Sequence, residues 1–140
     1  MIETDILYAY VKNRDWLKPV ADELISKIAG GGMGTVHASR EVLHELYYVS
    51  IAEGVAIDEI ISRFASLTAI NNLVFLETTH EIDLLALTLM KQYRIGSIFD
   101  AYYAAATLNQ DPDRTIISTD EVFDKVVGIK RIDPRQTSKG

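Results

Sequence analysis

The sequence predicts an α/β protein with three layers (α/β/α) built on a mostly parallel central sheet of about five strands. Short apolar or β-branched runs alternate along the chain with longer segments whose apolar residues recur every three or four positions. This alternation is typical of a parallel sheet with helices on both faces. The 140 residues, 48% of them hydrophobic, suffice for one domain with a single core. We expect that domain to span residues 1–134 and residues 135–140 to form a flexible tail.

The amino-terminal part of the chain contains the first two expected strands. Residues 1–10 are predicted to be a buried strand because they are mostly apolar. Residues 14–29 have apolar positions at helical spacing, and a run of glycines ends that helix. Residues 35–38 form a second short strand. Ser39 is then a candidate N-cap for a helix with Glu41 in its first turn, where the helix dipole favours an acid.

The middle of the chain continues the alternation. Residues 56–70 have isoleucine, phenylalanine and leucine on one helical face. Residues 73–77 form an apolar third strand, and Thr79 is the expected N-cap of the following helix. The next helix opens at Ser97 or Phe99.

The carboxyl-terminal part is predicted to supply the last two strands. The alanines at 104–106 would let their helix lie close to a sheet or a neighbouring helix. Residues 115–118 are a β-branched strand, residues 121–126 a short helix, and residues 129–132 a final strand that stops before Pro134.

Composition excludes several classes of protein and site. The net charge of −6, from 20 acids and 14 bases, argues against a protein that coats nucleic acid through a basic surface. No apolar run approaches ~20 residues, so no membrane span is expected. The start of the chain lacks the features of a secretion signal. The absence of cysteine excludes disulfides, cysteine–zinc sites and thiol catalysis, and fits a cytoplasmic protein.

Acidic residues follow the ends of the predicted strands or open the predicted helices. They are Glu3, Asp5, Glu41, Glu45, Asp100, Asp120 and Asp124. Parallel strands bring their carboxyl ends to one edge, where open α/β folds hold ligands. Carboxylates gathered there repel each other unless a cation lies among them, and a hard divalent ion such as Mg²⁺ or Mn²⁺ fits oxygen ligands. The set therefore favours metal-dependent phosphodiester cleavage by a metal-activated water, although any one of these acids alone is more often part of a helix end or a solvated face.

At four segments in order, the chain resembles the PIN-domain nucleases, especially the VapC-like toxin ribonucleases. The segments are Glu3-Thr4-Asp5-Ile6-Leu7, Ser39 with Glu45, Asp100 with its alanine-rich helix, and Ile117-Ser118-Thr119-Asp120-Glu121-Val122-Phe123. The first segment departs from the family, which has Asp at the position of Glu3 and usually Asn or Ser at that of Asp5. Glu3 could replace the Asp, Asp5 could take over as ligand, or catalysis could be weakened. We prefer Asp5, because a shorter side chain fixes a metal more tightly, and we prefer Glu45 to Glu41.

The resemblance implies a Mg²⁺- or Mn²⁺-dependent endoribonuclease that cuts single-stranded or loop RNA. It implies a catalytic set of Asp5, Glu45, Asp100 and Asp120. The expected metal ligands are Asp5, Asp100, Asp120, Glu3 and Asp124, and the expected substrate contacts are Ser39, Thr119 and Arg40. It also implies a homodimer and the role of toxin in a toxin–antitoxin pair, in which a small antitoxin inserts a basic residue among the acids.

Two other functions are compatible with the fold class, and particular residues favour or exclude each of them. A catalytically silent PIN-like module that binds RNA or a protein is the main alternative, because the first segment departs from the family. A receiver-like signalling domain needs an Asp at the end of the third strand, where this chain has Glu77. Aromatic side chains could stack on RNA bases; the candidates are Tyr47, Tyr48, Tyr102 and Tyr103. Basic side chains could form a positive rim around the acids; the candidates are Arg14, Lys18, Arg40, Lys91 and Arg94.

Overall fold

Helices and strands alternate through the computed structural model, which describes residues 1–137. The α-helices of that part are Thr4–Val11 (α1), Lys18–Ala29 (α2), Glu41–Ala52 (α3), Ile57–Thr68 (α4), His80–Tyr93 (α5), Ile98–Gln110 (α6) and Pro134–Thr137 (α7). The strands are Val36–Ser39 (β1), Leu73–Leu76 (β2), Thr115–Ile117 (β3) and Lys130–Ile132 (β4), and a 3₁₀ helix covers Glu121–Lys125. The predicted α/β class is confirmed.

The strands form two small parallel sheets. β1 pairs with β2, with Val36 opposite Leu73, and β3 pairs with β4, with Thr115 opposite Lys130. The prediction of a central sheet of about five strands is therefore wrong for residues 1–137, which contain four strands in two sheets. The three-layer arrangement stays a prediction.

The missing strand is the one expected at residues 1–10. Residues 1–3 are extended and lie between the two sheets: the Ile2 amide donates to the His37 carbonyl at 2.8 Å, and the Glu3 amide donates to the Ile117 carbonyl at 3.1 Å. This segment forms a single bridge, between Ile2 and Ile117. Helix α1 starts at Thr4 because the Glu3 side chain accepts a hydrogen bond from the Asp5 amide and caps the first turn. Glu3 and Asp5 thus do not share the face of a strand.

The other predicted helix boundaries are largely correct. Thr79 caps α5 by accepting from the Ile82 amide, and Ser97 caps α6 by accepting from the Asp100 amide. Helix α2 begins later than residue 14, with a proline in its first turn, where proline is tolerated. Ser39 is the last residue of β1, although its Oγ does accept from the Glu41 amide at 3.1 Å.

The last helix covers part of the expected carboxyl-terminal tail. Of the expected tail at 135–140, residues up to 137 belong to α7, and residues 138–140 lie outside the described part. None of the helices in residues 1–137 combines the length and apolarity needed to cross a bilayer.

Helix α6 is the buried centre of the fold. Its small residues, Ala101 and the alanines at 104–106, are almost completely inaccessible to solvent, as is Tyr103. Without large side chains at these positions, α6 packs directly against β1, α3 and α5. This packing fixes the amino-terminal turn of α6, which carries Asp100, close to α3 and α1.

Candidate active site

Five carboxylic acids line one open cavity of about 310 Å³. They are Glu3, Asp5, Glu45, Asp100 and Asp120, and the other lining residues are Thr4, Tyr8, Val49 and Ser97. We call this the acid cavity. No lysine, arginine or histidine is among its described lining residues. The acids come from the start of α1, from α3, from α6 and from the segment after β3, so the fold brings together residues that are far apart in the sequence.

The electrostatic effect of this convergence is largest at Asp100. Burial, together with the charges of Asp120, Glu45 and Asp5, raises the pKa of Asp100 from 3.8 to about 7. The side chain receives no hydrogen bond from the described residues that would offset its burial. Asp100 is therefore partly protonated near neutral pH in the protein alone, and a nearby cation would restore its charge.

Asp5 is held in place by the segment after β3. Its Oδ2 accepts hydrogen bonds from the Thr119 amide at 2.8 Å and from Thr119 Oγ1 at 2.6 Å. Thr119 thus positions an acid, and its contact with substrate stays a prediction. Burial and the adjacent Asp5 carboxylate raise the pKa of Glu3 well above its ordinary value. Burial thus disfavours the charged form of Glu3, whose side chain serves as the cap of α1.

Glu45 is oriented by a buried tyrosine. The Tyr103 hydroxyl donates to Glu45 Oε1 at 2.8 Å and accepts from Thr4 Oγ1 at 2.7 Å. Tyr103 is 1% exposed, and burial with the neighbouring Glu45 charge raises the pKa of its hydroxyl. It therefore stays a neutral donor. The spacing of Tyr103 three residues after Asp100, on the same face of α6, was the one sequence signal for this role.

Asp120 lies at the exposed rim of the acid cavity. Its Oδ1 accepts from the Val122 amide at 2.9 Å and so caps the 3₁₀ helix. Its own amide donates to Ser118 Oγ at 2.9 Å. Asp100 and Asp120 line the same cavity, which is the arrangement that the sequence argument required.

The donor set suits a hard divalent cation, but the carboxylates are turned toward protein donors. Among residues 1–137, no three His, Cys, Asp or Glu side chains are close enough together to hold one ion. Asp5, Glu45 and Asp120 each use a carboxylate oxygen in the hydrogen bonds described above. An ionised carboxylate accepts several bonds, so these acids keep acceptor positions that could bind a metal.

Three other predicted site residues do not line the acid cavity. Asp124 forms a bidentate ion pair with Arg131, at 3.0 and 3.1 Å, because the segment after Asp120 is a 3₁₀ helix and not the α-helix that would place residues i and i+4 together. Ser39 is buried at the end of β1. Arg40 is exposed beyond that strand end, outside the lining of the cavity.

Glu41 and Glu45 lie in different surroundings. Glu41 Oε2 accepts from Thr78 Oγ1 at 2.8 Å, and its other oxygen is 3.0 Å from His44 Nδ1. Glu41 faces a separate apolar groove, whereas Glu45 faces the acid cavity.

Comparison with known protein families gives one match. A family model described as PIN domain matches residues 1–129. A comparison with curated proteins found no match.

Proposed function

Since the chain belongs to the PIN-domain family, we propose that it is a Mg²⁺- or Mn²⁺-dependent endoribonuclease that cleaves single-stranded or loop RNA. PIN domains are generally nucleases that use divalent metals, which supports hydrolysis of a nucleic acid as the reaction. The observation that carries the proposal is the acid cavity, with five carboxylic acids and no basic side chain among its described lining residues.

The residues of the acid cavity have distinct parts in this proposal. Asp5, Asp100 and Asp120 would hold the metal, and Glu45, fixed by Tyr103, would complete the set. A bound divalent ion supplies polarisation of the phosphoryl oxygen and acidifies the attacking water. Asp100, whose pKa is about 7 in the protein alone, gains a full negative charge when a cation neutralises its neighbours. Thr119 and Tyr103 keep Asp5 and Glu45 from rotating freely, which limits the reorganisation needed at the moment of reaction.

The cellular role is a further part of the proposal. We propose the toxin of a toxin–antitoxin pair, acting as a homodimer in the cytoplasm and inhibited by a small antitoxin. An antitoxin lysine or arginine inserted into the acid cavity would make charge-assisted hydrogen bonds with these carboxylates and displace the metal. Growth arrest on expression, relieved by Asp100→Asn, is the expected result in cells.

Metal-dependent cleavage tests the enzymatic proposal directly. Wild-type protein is incubated with a labelled single-stranded RNA in Mn²⁺, in Mg²⁺ and in chelator, beside Asp100→Asn and the matched control Asp58→Asn. Asp58 is an exposed acid in the first turn of α4, as Asp100 is in the first turn of α6. Cleavage should need metal and Asp100 but not Asp58. Cleavage that persists in chelator contradicts the proposal.

A catalytically silent module is the second candidate, and one observation favours it. The first acid of the family pattern is replaced by Glu3, which is buried, has a raised pKa because of that burial, and caps α1. Calorimetric titration with Mn²⁺ distinguishes the two. A folded protein that binds no metal at millimolar concentration, and cleaves no RNA, is the silent module.

A further inference from the structure

A second polar cavity, of about 390 Å³, lies where the end of α1, the start of α2 and one face of α4 meet. We call it the Arg63 cavity. Its polar lining is mainly basic or neutral, namely Lys12, Asn13, Lys18, Ser62 and Arg63, with Glu59 as the lining carboxylate. It contrasts with the acid cavity, whose described lining has five acids and no base.

Arg63 is a buried cation with few partners. The residue is 9% exposed, yet its guanidinium makes one hydrogen bond to the described residues, from Nη1 to Ser50 Oγ at 2.9 Å. Its Nε is buried and has no hydrogen-bond partner there. The nearest carboxylate oxygen, Glu59 Oε1, is 3.9 Å from Nη2, beyond hydrogen-bond distance. A buried donor without a partner is costly, so the arrangement favours an added anion.

The two lysines of the Arg63 cavity have carboxylate partners at longer distances. Lys12 Nζ is 3.4 Å from Glu53 and 3.8 Å from Asp15; Lys18 Nζ donates to the Tyr10 carbonyl at 2.8 Å and is 3.3 Å from Asp22. These carboxylates lie on or near the protein surface, where such ion pairs contribute little free energy. A phosphate group, which offers several strong acceptor oxygens, would compete for both lysines and for Arg63.

Tyr8 separates the Arg63 cavity from the acid cavity. It lines the acid cavity, while Lys12 Nζ lies 4.8 Å and Arg63 Cζ 5.6 Å from the centre of its ring. Cation–π contacts from both cations hold the ring in place. One tyrosine therefore divides a site suited to metal and cleavage from a site suited to an anion.

We propose that the Arg63 cavity binds a phosphate of the nucleic-acid backbone next to the one that is cleaved. The inference rests on the proposed nuclease function, and it adds a substrate subsite formed by Arg63, Lys12 and Lys18. A chain that passes over Tyr8 would have one phosphate among the acids and their metal and a neighbouring phosphate against these cations. Such a contact recognises the backbone and carries no base preference.

The first test uses inorganic phosphate and needs neither RNA nor activity. Amide chemical shifts of the wild-type protein are followed by NMR during a phosphate titration at constant ionic strength. Saturable shifts at Asn13 and Ser62 that vanish in Arg63→Gln and weaken in Lys12→Ala support the subsite. Lys12→Ala is included because the Arg63 variant removes a buried group and is the one at risk of not folding. Shifts that are absent, or that are the same in both folded variants, overturn it.

The second test asks whether the phosphate belongs to the nucleic acid. Binding of a single-stranded RNA is measured against salt concentration in an Asp100→Asn background, which blocks cleavage. Lys12→Ala should weaken binding equally for different sequences and reduce the slope of log K against log salt by about 0.7, the value for one phosphate contact on a single strand. Lys27→Ala, at an exposed lysine in the last turn of α2, is the matched control and should change neither quantity.

The outcomes separate the subsite from the nuclease. Unchanged affinity and slope in Lys12→Ala, with RNA cleaved normally by the wild type, overturn the subsite alone. A wild type that cleaves no RNA overturns the nuclease proposal, while the phosphate titration still decides whether the cavity takes an anion. Phosphate binding without any change in RNA affinity overturns the backbone assignment and leaves a site for free phosphate.

Discussion

Replacing Asp100 by asparagine should stabilise the metal-free protein at alkaline pH. The folded state holds this carboxyl with a pKa of about 7, raised from 3.8 by burial and by the charges of Asp120, Glu45 and Asp5. Between these two pH values the unfolded chain has lost the proton that the folded chain retains. Stability therefore falls as pH rises through this window, and the full penalty is present above about pH 7. Asparagine fills nearly the same volume and carries no charge, so it removes the penalty.

The size of the effect follows from the two pKa values. At about 1.36 kcal/mol for each unit between them, the upper limit is about 4 kcal/mol. Asp100 is only partly buried, and screening by solvent reduces this to about 2 kcal/mol. The substitution also loses a carboxylate at the amino-terminal turn of α6, a favourable position worth roughly 0.5 kcal/mol. The expected net gain at pH 8 is about 1.5 kcal/mol, or about 5 °C in melting temperature for a chain of this length.

Thermal unfolding in chelator at pH 4 and at pH 8 measures this. Asp100→Asn should melt above the wild type at pH 8 and much closer to it at pH 4, where the carboxyl is protonated in the folded state and about half protonated in the unfolded state. Asp58→Asn, the exposed acid in the first turn of α4, should show no such difference between the two pH values. A lower melting temperature for Asp100→Asn at pH 8, or an equal gain at both pH values, would refute the idea that repulsion among the acids of the cavity destabilises the folded protein.

The remaining predictions concern metal binding and two neighbouring contacts. Adding Mn²⁺ at 100 times its dissociation constant should stabilise the wild type by about 2.7 kcal/mol, and removing it with chelator should reverse the gain in a melting curve. Tyr103→Phe takes the hydroxyl away from Glu45; it should cost about 1 kcal/mol in urea unfolding and lower metal-dependent cleavage by about 10- to 100-fold. Asp124→Asn should leave cleavage rates unchanged, since Asp124 pairs with Arg131 outside the acid cavity, and should lower stability by less than about 1 kcal/mol. A loss of cleavage in this last variant, with folding intact, would return Asp124 to the metal site.

The sequence indicated which acids lie near helix and strand ends, but it did not indicate that residues 4–11 form a helix. Thr79 and Ser97 gave correct helix starts because an N-cap is a local signal, readable within four residues. Asp100 and Asp120 could be singled out for a similar reason, since each lies three residues after a helix cap or a strand end. Residues 1–10 were assigned to a strand because apolar content alone does not distinguish a short strand from a buried helix. The capping role of Glu3 was hidden because glutamate is not among the usual N-cap residues.

Contacts between distant segments could not be predicted in this way. The bond from Tyr103 to Glu45 spans 58 residues, and the bond from Thr119 to Asp5 spans 114. No spacing rule covers such pairs, because they depend on how the elements pack. The i,i+4 relation of Asp120 and Asp124 was misleading for a different reason: it assumed α-helical geometry, and a 3₁₀ helix turns those two side chains apart.

The bridge that residues 1–3 make between the two sheets has a consequence for the order of events during translation. Ile2 pairs with Ile117, so residues 1–3 wait during synthesis for a partner that is made more than a hundred residues later. A nascent chain that has emerged only as far as α5 already contains Glu3, Asp5 and Glu45, but it lacks Asp100, Asp120 and the strand that pairs with residues 1–3. Contacts of such long range form slowly, because the ends of a long loop must first meet. We therefore expect pulse-labelled, ribosome-bound chains to remain sensitive to protease until β3 has cleared the exit tunnel.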